Sequence, residues 1–372
     1  MTQPIYLNGR FLLQPVTGVQ RFAREITAAL DRIWPSATAP APVLLVPHAP
    51  EELLPYRVLR LRAVGRTRGH AWEQFELPRY TRDGLLVNLA NAGPIFAKRQ
   101  LIVLHDASVF AHPETYSLPY GLFHRGLDRM FAGMGAQLAT ISRFSRAEIA
   151  RHLRVPPADI EVVPEGADHI LRVAPDHAIL ERYGLAPRRY VLAVGSLAAH
   201  KNLRALAPLA EKLSRRGLAL VVVGGIAPHV FGGEVAGLPE PAIYLGRMSD
   251  AALRALYESA AGLVFPSRYE GFGIPPVEAM ACGCPVVAAA ASVREVCGDG
   301  ALYADPDDPE AIAAAVLRIV EDEALAQDLR RRGRDRVATL TWDDAAAQLV
   351  RVVTRLHKNL PKAPEHESSD RP

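Results

Sequence analysis

Residues 262–289 read GLVFPSRYEGFGIPPVEAMACGCPVVAA. Two short apolar runs, GLVFPS and PVVAA, bracket a glycine–proline loop and a helical stretch near 276–283. That order is strand, loop, helix, strand. Parallel neighbours need a crossover, most often a helix, so the stretch belongs to a parallel sheet. The loop that begins at Arg268 then leaves the carboxyl end of a strand, where open α/β sheets bind ligands. Gly271 and Gly273 carry no Cβ, so ligand oxygens can approach the backbone there. Pro275 and Pro276 suit a first helical turn, where a missing N–H costs little. The free amides of Phe272, Gly273 and Ile274 face a helix N-terminus, an anion site that a diphosphate fits.

Glu270 and Glu278 flank this cradle, and two acids beside a phosphate repel it unless they serve another group. Carboxylates accept hydrogen bonds from sugar hydroxyls. On that reading Glu278 holds the ribose of a nucleotide and Glu270 a sugar on the far side of the diphosphate. A second reading stays open from the residues alone: Glu278 complements the helix dipole and Glu270 is a solvated loop acid.

The same alternation extends outward over the whole chain. Strand candidates in the first half are PIYLN, VLLVP, LLVNL, QLIVLHD, QLATIS and IEVVP. RFAREITAALDRIW is a helix with Phe22, Ile26, Leu30 and Ile33 on one face, and SRFSRAEIARHL is a second, with Ser142 or Ser145 placed to cap it. Strands of the second half are YVLAVGS, LALVVVGG, AIYLG, GLVFPS, PVVAA and GALYAD, with helical stretches near 201–216, 250–261, 276–283 and 309–321 between them. The series runs twice, with a break at PEGADHILRVAPDH (164–177) whose proline, charge and histidine suit an interdomain linker. The expected organisation is α/β, with parallel sheets in two Rossmann-like units: 1–170, and 171–342. A helix near 343–357 is free to pack back on the first unit, and the tail 358–372 lacks apolar periodicity and is expected to be disordered.

The 372 residues are 49% hydrophobic and 22% charged, an ordinary globular balance for about two domains. A net charge of +3 gives no argument for nucleic acid. No run reaches the roughly 20 apolar residues of a membrane span, and MTQPIYLNGR lacks a signal-peptide layout. Cys282, Cys284 and Cys297 lack the spacing of zinc or redox pairs and read as small core residues of a reduced, cytoplasmic protein. The chain has no G-x-G-x-x-G after a strand, no phosphate-loop G-x-x-x-x-G-K, and no G-x-S-x-G elbow. Those absences remove the main support for dinucleotide, P-loop and serine-hydrolase chemistry.

FPSRYEGFGIPPVEAMACGCPVVAA, with its two glutamates separated by seven residues, resembles the signature of the retaining glycosyltransferases of family 4. GADHI at 166–170, VLAVGSLAAHKNL at 191–203 and the TW at 341–342 extend the resemblance over most of the chain. It implies a GT-B fold, two facing Rossmann-like domains about a cleft, with a nucleotide-sugar donor held mainly by the second. Lys201, one of five lysines in an arginine-rich chain, lies in the loop GSLAAHKN. A point charge reaching donor phosphate explains it better than a helix-start cation, which the dipole disfavours. The family commonly adds an arginine beside this lysine, where this chain has Ser196 and His200. Arg247 in YLGRMSD is a possible substitute.

His105 ends an apolar strand and resembles the family's first-domain histidine beside the donor sugar; Asp106 follows it. Gly18 precedes the first long helix, in a loop that resembles those approaching the diphosphate or acceptor. Arg143 in TISRFS also sits at a strand end facing the cleft, or is a surface arginine. Residues 56–82 interleave arginine with Leu, Val, Trp and Phe. They read either as a solvated face or as a contact with an anionic bilayer, since family members often use lipid-linked acceptors.

The resemblance thus implies a metal-independent retaining hexosyltransferase needing no cofactor beyond its nucleotide-sugar donor, with GDP-mannose favoured. The acceptor is a glycan or lipid-linked glycan of cell-surface polysaccharide or glycolipid assembly, and the setting is cytoplasmic or peripheral on the inner membrane face. His105, Glu270 and Lys201 are the catalytic candidates. A nucleotide-sugar epimerase or phosphorylase, and an inactive sugar-binding scaffold, are the alternatives.

Overall fold

The computed structural model describes residues 3–35, 40–50, 55–225 and 238–359; all but the first two residues of the 358–372 tail lie outside the described residues. The first sheet has the order β3–β2–β1–β4–β5–β6–β7, every pair parallel. Its strands are β1 (Ile5–Asn8), β2 (Val43–Val46), β3 (Arg60–Ala63), β4 (Leu85–Asn88), β5 (Gln100–Val103), β6 (Gln137–Thr140) and β7 (Ile160–Val162). The second sheet has the order β10–β9–β8–β11–β12–β13, again all parallel. Its strands are β8 (Tyr190–Val194), β9 (Ala219–Val223), β10 (Ile243–Gly246), β11 (Gly262–Phe265), β12 (Val286–Ala288) and β13 (Ala301–Tyr303). β4, β5, β11 and β12 are buried along their whole length, as sheets covered on both faces require.

Each sheet is doubly wound. Strand order reverses between β1 and β4 in the first and between β8 and β11 in the second, so each has a crevice outside the carboxyl ends of that pair. Among the strands, only β3 has no counterpart in the sequence reading. It is the edge strand RLRA, with three of four residues exposed, so it shows no apolar alternation.

The main helices are α1 (Gly18–Ile33), α2 (Leu118–Gly133), α3 (Arg143–Leu153), α4 (Ala207–Ser214), α5 (Asp250–Ser259), α6 (Ile274–Ala281), α7 (Ala291–Cys297), α8 (Pro309–Glu321), α9 (Glu323–Val337) and α10 (Trp342–Lys358). α1 buries Phe22, Ile26 and Leu30, each worth about 1.5–3 kcal/mol when fully buried. α10 lies against α1. Thr341 caps it, Trp342 meets Phe22 at 6.0 Å between ring centres, and Arg32 pairs with Asp343 at 2.6 Å. The His357 ring nitrogen Nε2 reaches the carbonyl of Gln3 at 2.7 Å, so the last helix is fastened to the first strand's entry. All three cysteines are buried and unpaired, with their thiols pushed up by burial. No helix among the described residues is long and apolar enough to cross a membrane.

Candidate active site

The second sheet's crevice is built by the loops after β8 and β11. Asn202 takes the left-handed conformation (φ 58°) and donates through Nδ2 to the carbonyls of Pro266 (3.1 Å) and Pro306 (2.7 Å). The amide of Arg268 donates to the carbonyl of His200 (2.9 Å), which stitches the two loops together. Lys201 runs its stem over Gly195 and places Nζ 2.7 Å from Oε1 of Glu270. The pair is only partly covered, at 19% and 11% side-chain exposure. An ammonium has three donors, so Lys201 keeps two for a ligand beside Glu270.

Protein contacts alone require both glycines between the two glutamates. A Cβ on Gly271 would lie 2.7 Å from the carbonyl oxygen of His105, and its own carbonyl accepts from Ser142 Oγ (2.6 Å) and Ser145 Oγ (3.1 Å). The first sheet's loops therefore rest on the loop that carries Glu270. Gly273 caps α6 at φ +99°, where a Cβ would also meet Val293 at 2.8 Å. Pro275 and Pro276 occupy the first turn of α6, and Phe272 is buried in the core. Ile274 lies 4.0 Å from where a Cβ on Gly18 would be, so the N-termini of α1 and α6 meet at the cleft.

Glu278 is buried and held at both oxygens. Oε1 is 2.8 Å from Nε2 of His169, and Oε2 accepts from the hydroxyl of Tyr257 (3.0 Å). The indole N–H of Trp342 points at Nδ1 of His169 (3.1 Å). An indole only donates, so Nδ1 accepts, and Nε2 carries the proton that Glu278 receives. This chain joins GADHI, TW and the second glutamate. The junction at 166–170 is packed: His169 and Ile170 are buried, and a Cβ on Gly166 would strike the Trp342 backbone. Each Glu278 oxygen retains a lone pair for a further donor.

On the facing side His105 is buried, with its ring nitrogen Nε2 3.0 Å from the carbonyl of Leu89 and its amide bonded to Asn91 Oδ1 (2.7 Å). Burial pulls its pKa down, so the ring is neutral. Asp106 accepts from the amide of Ser108 (2.8 Å) and from its hydroxyl, which lies 2.6 Å from that of Tyr116. Arg143 is engaged by a residue of the other half. Its side chain is 74% exposed and pairs with Glu295 (3.3 Å), whose carboxylate also takes the amides of Arg143 and Phe144 at the start of α3. An acid from α7 thus caps α3 across the two halves.

His200, where a cation was missed, is buried beside Lys201, and its pKa is pushed down to about 2. It is neutral and stacks on Tyr116 at 6.4 Å. Ser196 is half-buried at the exit of β8. The side chain of Arg247 lies against Gly225, whose carbonyl accepts from the amide of Leu197 (3.4 Å), and pairs with no carboxylate among the described residues. The Arg247 guanidinium thus stands beside the Ser196–Lys201 loop.

A family model, glycosyl transferases group 1, matches residues 179–336, the half that carries this crevice. O-antigen chain mannosyltransferase B of Escherichia coli is 33% identical over 270 residues, 68% of this chain and 69% of the relative. The chain belongs to the group 1 glycosyltransferases. O-antigen chain mannosyltransferase RfbU of Salmonella typhimurium is 29% identical over 230 residues, and the match spans 61% of that protein. For the fold, the enzyme superposes on Anabaena HepE, solved in complex with UDP-glucose, with a TM-score of 0.71 over 95% of this chain and 100% of that one at 16% identity. The architecture of this glycosyltransferase is therefore GT-B, as the resemblance implied.

Tyr257, His169, Trp342 and Glu165 join the site without having been singled out. GADHI and TW were the available signals for His169 and Trp342. Nothing in the local sequence marks Tyr257 or Glu165, which reach the site through packing between distant segments.

Proposed function

We propose that this glycosyltransferase moves mannose from GDP-mannose to a glycan or lipid-linked glycan acceptor with retention of configuration, in cell-surface polysaccharide assembly. The observation that carries the reading is the Lys201–Glu270 pair at the crevice of the second sheet, closed from the first half by His105. The O-antigen mannosyltransferase relatives support mannose and the polysaccharide setting. Lys201 and Arg247 would meet the donor diphosphate together with the amides of Phe272, Gly273 and Ile274. Glu278 would accept from the ribose and Glu270 from the sugar. The acceptor hydroxyl attacks the anomeric carbon on the face the diphosphate leaves. Its proton passes to a departing phosphate oxygen as the old C–O bond breaks. Fixed charges and amides aimed at that developing charge supply the rate without a metal ion or further cofactor. A thermal-shift series tests the donor: GDP-mannose at a hundred times its Kd contributes about 2.7 kcal/mol. A larger shift with UDP-glucose would assign a different donor.

The same reading puts the enzyme on the inner face of a membrane. Of the 56–82 stretch, Leu59, Val64, Trp72 and Leu77 are core, while Arg60, Arg62, Arg66, Arg68 and Phe75 are exposed. His70 contacts Phe123 of α2 (4.9 Å), whose outer face is Leu118, Leu122, Phe123, Arg129 and Met130. An apolar helix face beside exposed arginines suits an anionic bilayer. Vesicle sedimentation tests it: neutralising the four arginines should abolish binding to anionic vesicles, at about 1 kcal/mol per charge. Equal binding by the variant would return them to a solvated face.

A further inference from the structure

Glu165 follows β7 and is buried where the two halves meet. Its Oε1 lies 3.8 Å from Nδ1 of His105, about 1 Å beyond hydrogen-bond length. The Nε2 proton of His105 goes to the Leu89 carbonyl, so Nδ1 presents a lone pair to Glu165. An ionised carboxylate facing a lone pair is repelled by it; a carboxylic acid donates to it.

The charges around Glu165 agree. Burial, and then the charges of Glu270, Glu278 and Asp106, raise its pKa well above the carboxylate range. Lys201 is engaged by Glu270, and the Nε2 proton of His169 is engaged by Glu278. Tyr257 also gives its proton to Glu278. No lysine or arginine pairs with Glu165 among the described residues. A buried carboxyl without a cation stays neutral.

We propose that Glu165 is a positioning residue for sugar transfer, working as a neutral acid that donates its O–H to Nδ1 of His105. The hydrogen bond adds a further fixed point to His105, beside those from Leu89 and Asn91. Because the His105 carbonyl backs onto Gly271, it also holds the loop that carries Glu270. The assignment rests on the donor reading above.

Two variants of similar size separate the possibilities. Glu165→Gln keeps a neutral donor; Glu165→Leu keeps only bulk. With GDP-mannose and a mannose-terminated acceptor, Glu165→Gln should keep kcat within about three-fold, while folded Glu165→Leu falls by about thirty-fold or more. The 15N resonance of Nδ1 of His105 should show an accepted hydrogen bond in wild type and Glu165→Gln and lose it in Glu165→Leu. Equal damage in both variants would show that a charge is required, and wild-type turnover in Glu165→Leu would leave Glu165 a packing residue. Either overturns the proposal. If no transfer from GDP-mannose occurs even in wild type, the donor reading fails instead. The His105 resonance still decides the hydrogen bond, and its absence in wild type overturns that too.

Discussion

The two sheets share one winding and differ in what fills their crevices. Between β8 and β11 the crevice holds the partly exposed Lys201–Glu270 pair, with Arg247 nearby and paired to no carboxylate among the described residues. Between β1 and β4 it is plugged by the protein itself. Asn8 donates to Glu73 (2.8 Å) and to Asn88 (3.0 Å), Asn88 donates to Gln100 (3.1 Å), and Arg10 and His70 pair with Glu73 (3.2 and 3.0 Å). Glu73 sits in a π-helical turn, Trp72–Glu76, and is buried, with its carboxyl held below the usual range by His70, Arg10 and Asn8 against its burial. The same topology thus makes a charged, accessible crevice in one half and a satisfied polar core in the other. Strand order says where a ligand can sit; the side chains at the strand ends say whether one does.

If the contrast holds, the crevices respond oppositely to loss of a charge. The largest effect belongs to Lys201. Lys201→Ala should cut kcat by about 10²–10³, the range for removing one preorganised donor to developing charge, with little loss of stability. Lys201→Arg should restore only part, since a planar fork does not replace a compact ammonium. Unchanged turnover in Lys201→Ala would count against a donor diphosphate in this crevice. Next, Glu73→Ala should lower stability by about 3–5 kcal/mol by stranding Arg10 and the Asn8 amide. Its affinity for GDP should not change. A folded Glu73→Ala that binds GDP weakly would mean that the first crevice is part of the donor site.

Glu278→Ala should weaken GDP binding about ten-fold, because a charge-assisted hydrogen bond is worth about 1.5–3 kcal/mol. Calorimetry that finds equal affinity would return Glu278 to an internal partner of His169 and Tyr257. A pH-dependent effect concerns Asp128, buried on the inner side of α2 with Oδ1 unpartnered among the described residues. Burial, then the charge of Asp106, pushes its pKa up to about 8. From about pH 4, where the unfolded carboxyl ionises, to about 8 the unfolded chain releases a proton that the native state keeps. Stability therefore falls as pH rises through that window. Asp128→Asn should flatten the fall, and an identical pH slope in both proteins would contradict it.

Legibility followed locality. Twelve of the thirteen strands stand out as short apolar runs, and Glu270, Glu278 and the α6 start lie within one loop and turn. β3 escaped because an edge strand with exposed arginines has no buried face. α2 escaped because Leu118, Leu122 and Phe123 face outward while Asp128 faces in, which inverts the usual pattern. His169, Tyr257, Trp342 and Glu165 take their roles from contacts between segments far apart in sequence, which no spacing records. Arg143 read as a cleft residue because its strand does end at the cleft; only the placement of Glu295 shows that the guanidinium is taken elsewhere.

The central claim is retaining sugar transfer at the β8–β11 crevice. Wild-type protein incubated with GDP-mannose and a mannose-terminated oligosaccharide, with the product followed by NMR at its new anomeric carbon, tests it most directly. The account predicts one GDP released per linkage formed, the donor's anomeric configuration in the product, and loss of both signals in Lys201→Ala. A product of opposite configuration, or mannose transfer undiminished in Lys201→Ala, would contradict it.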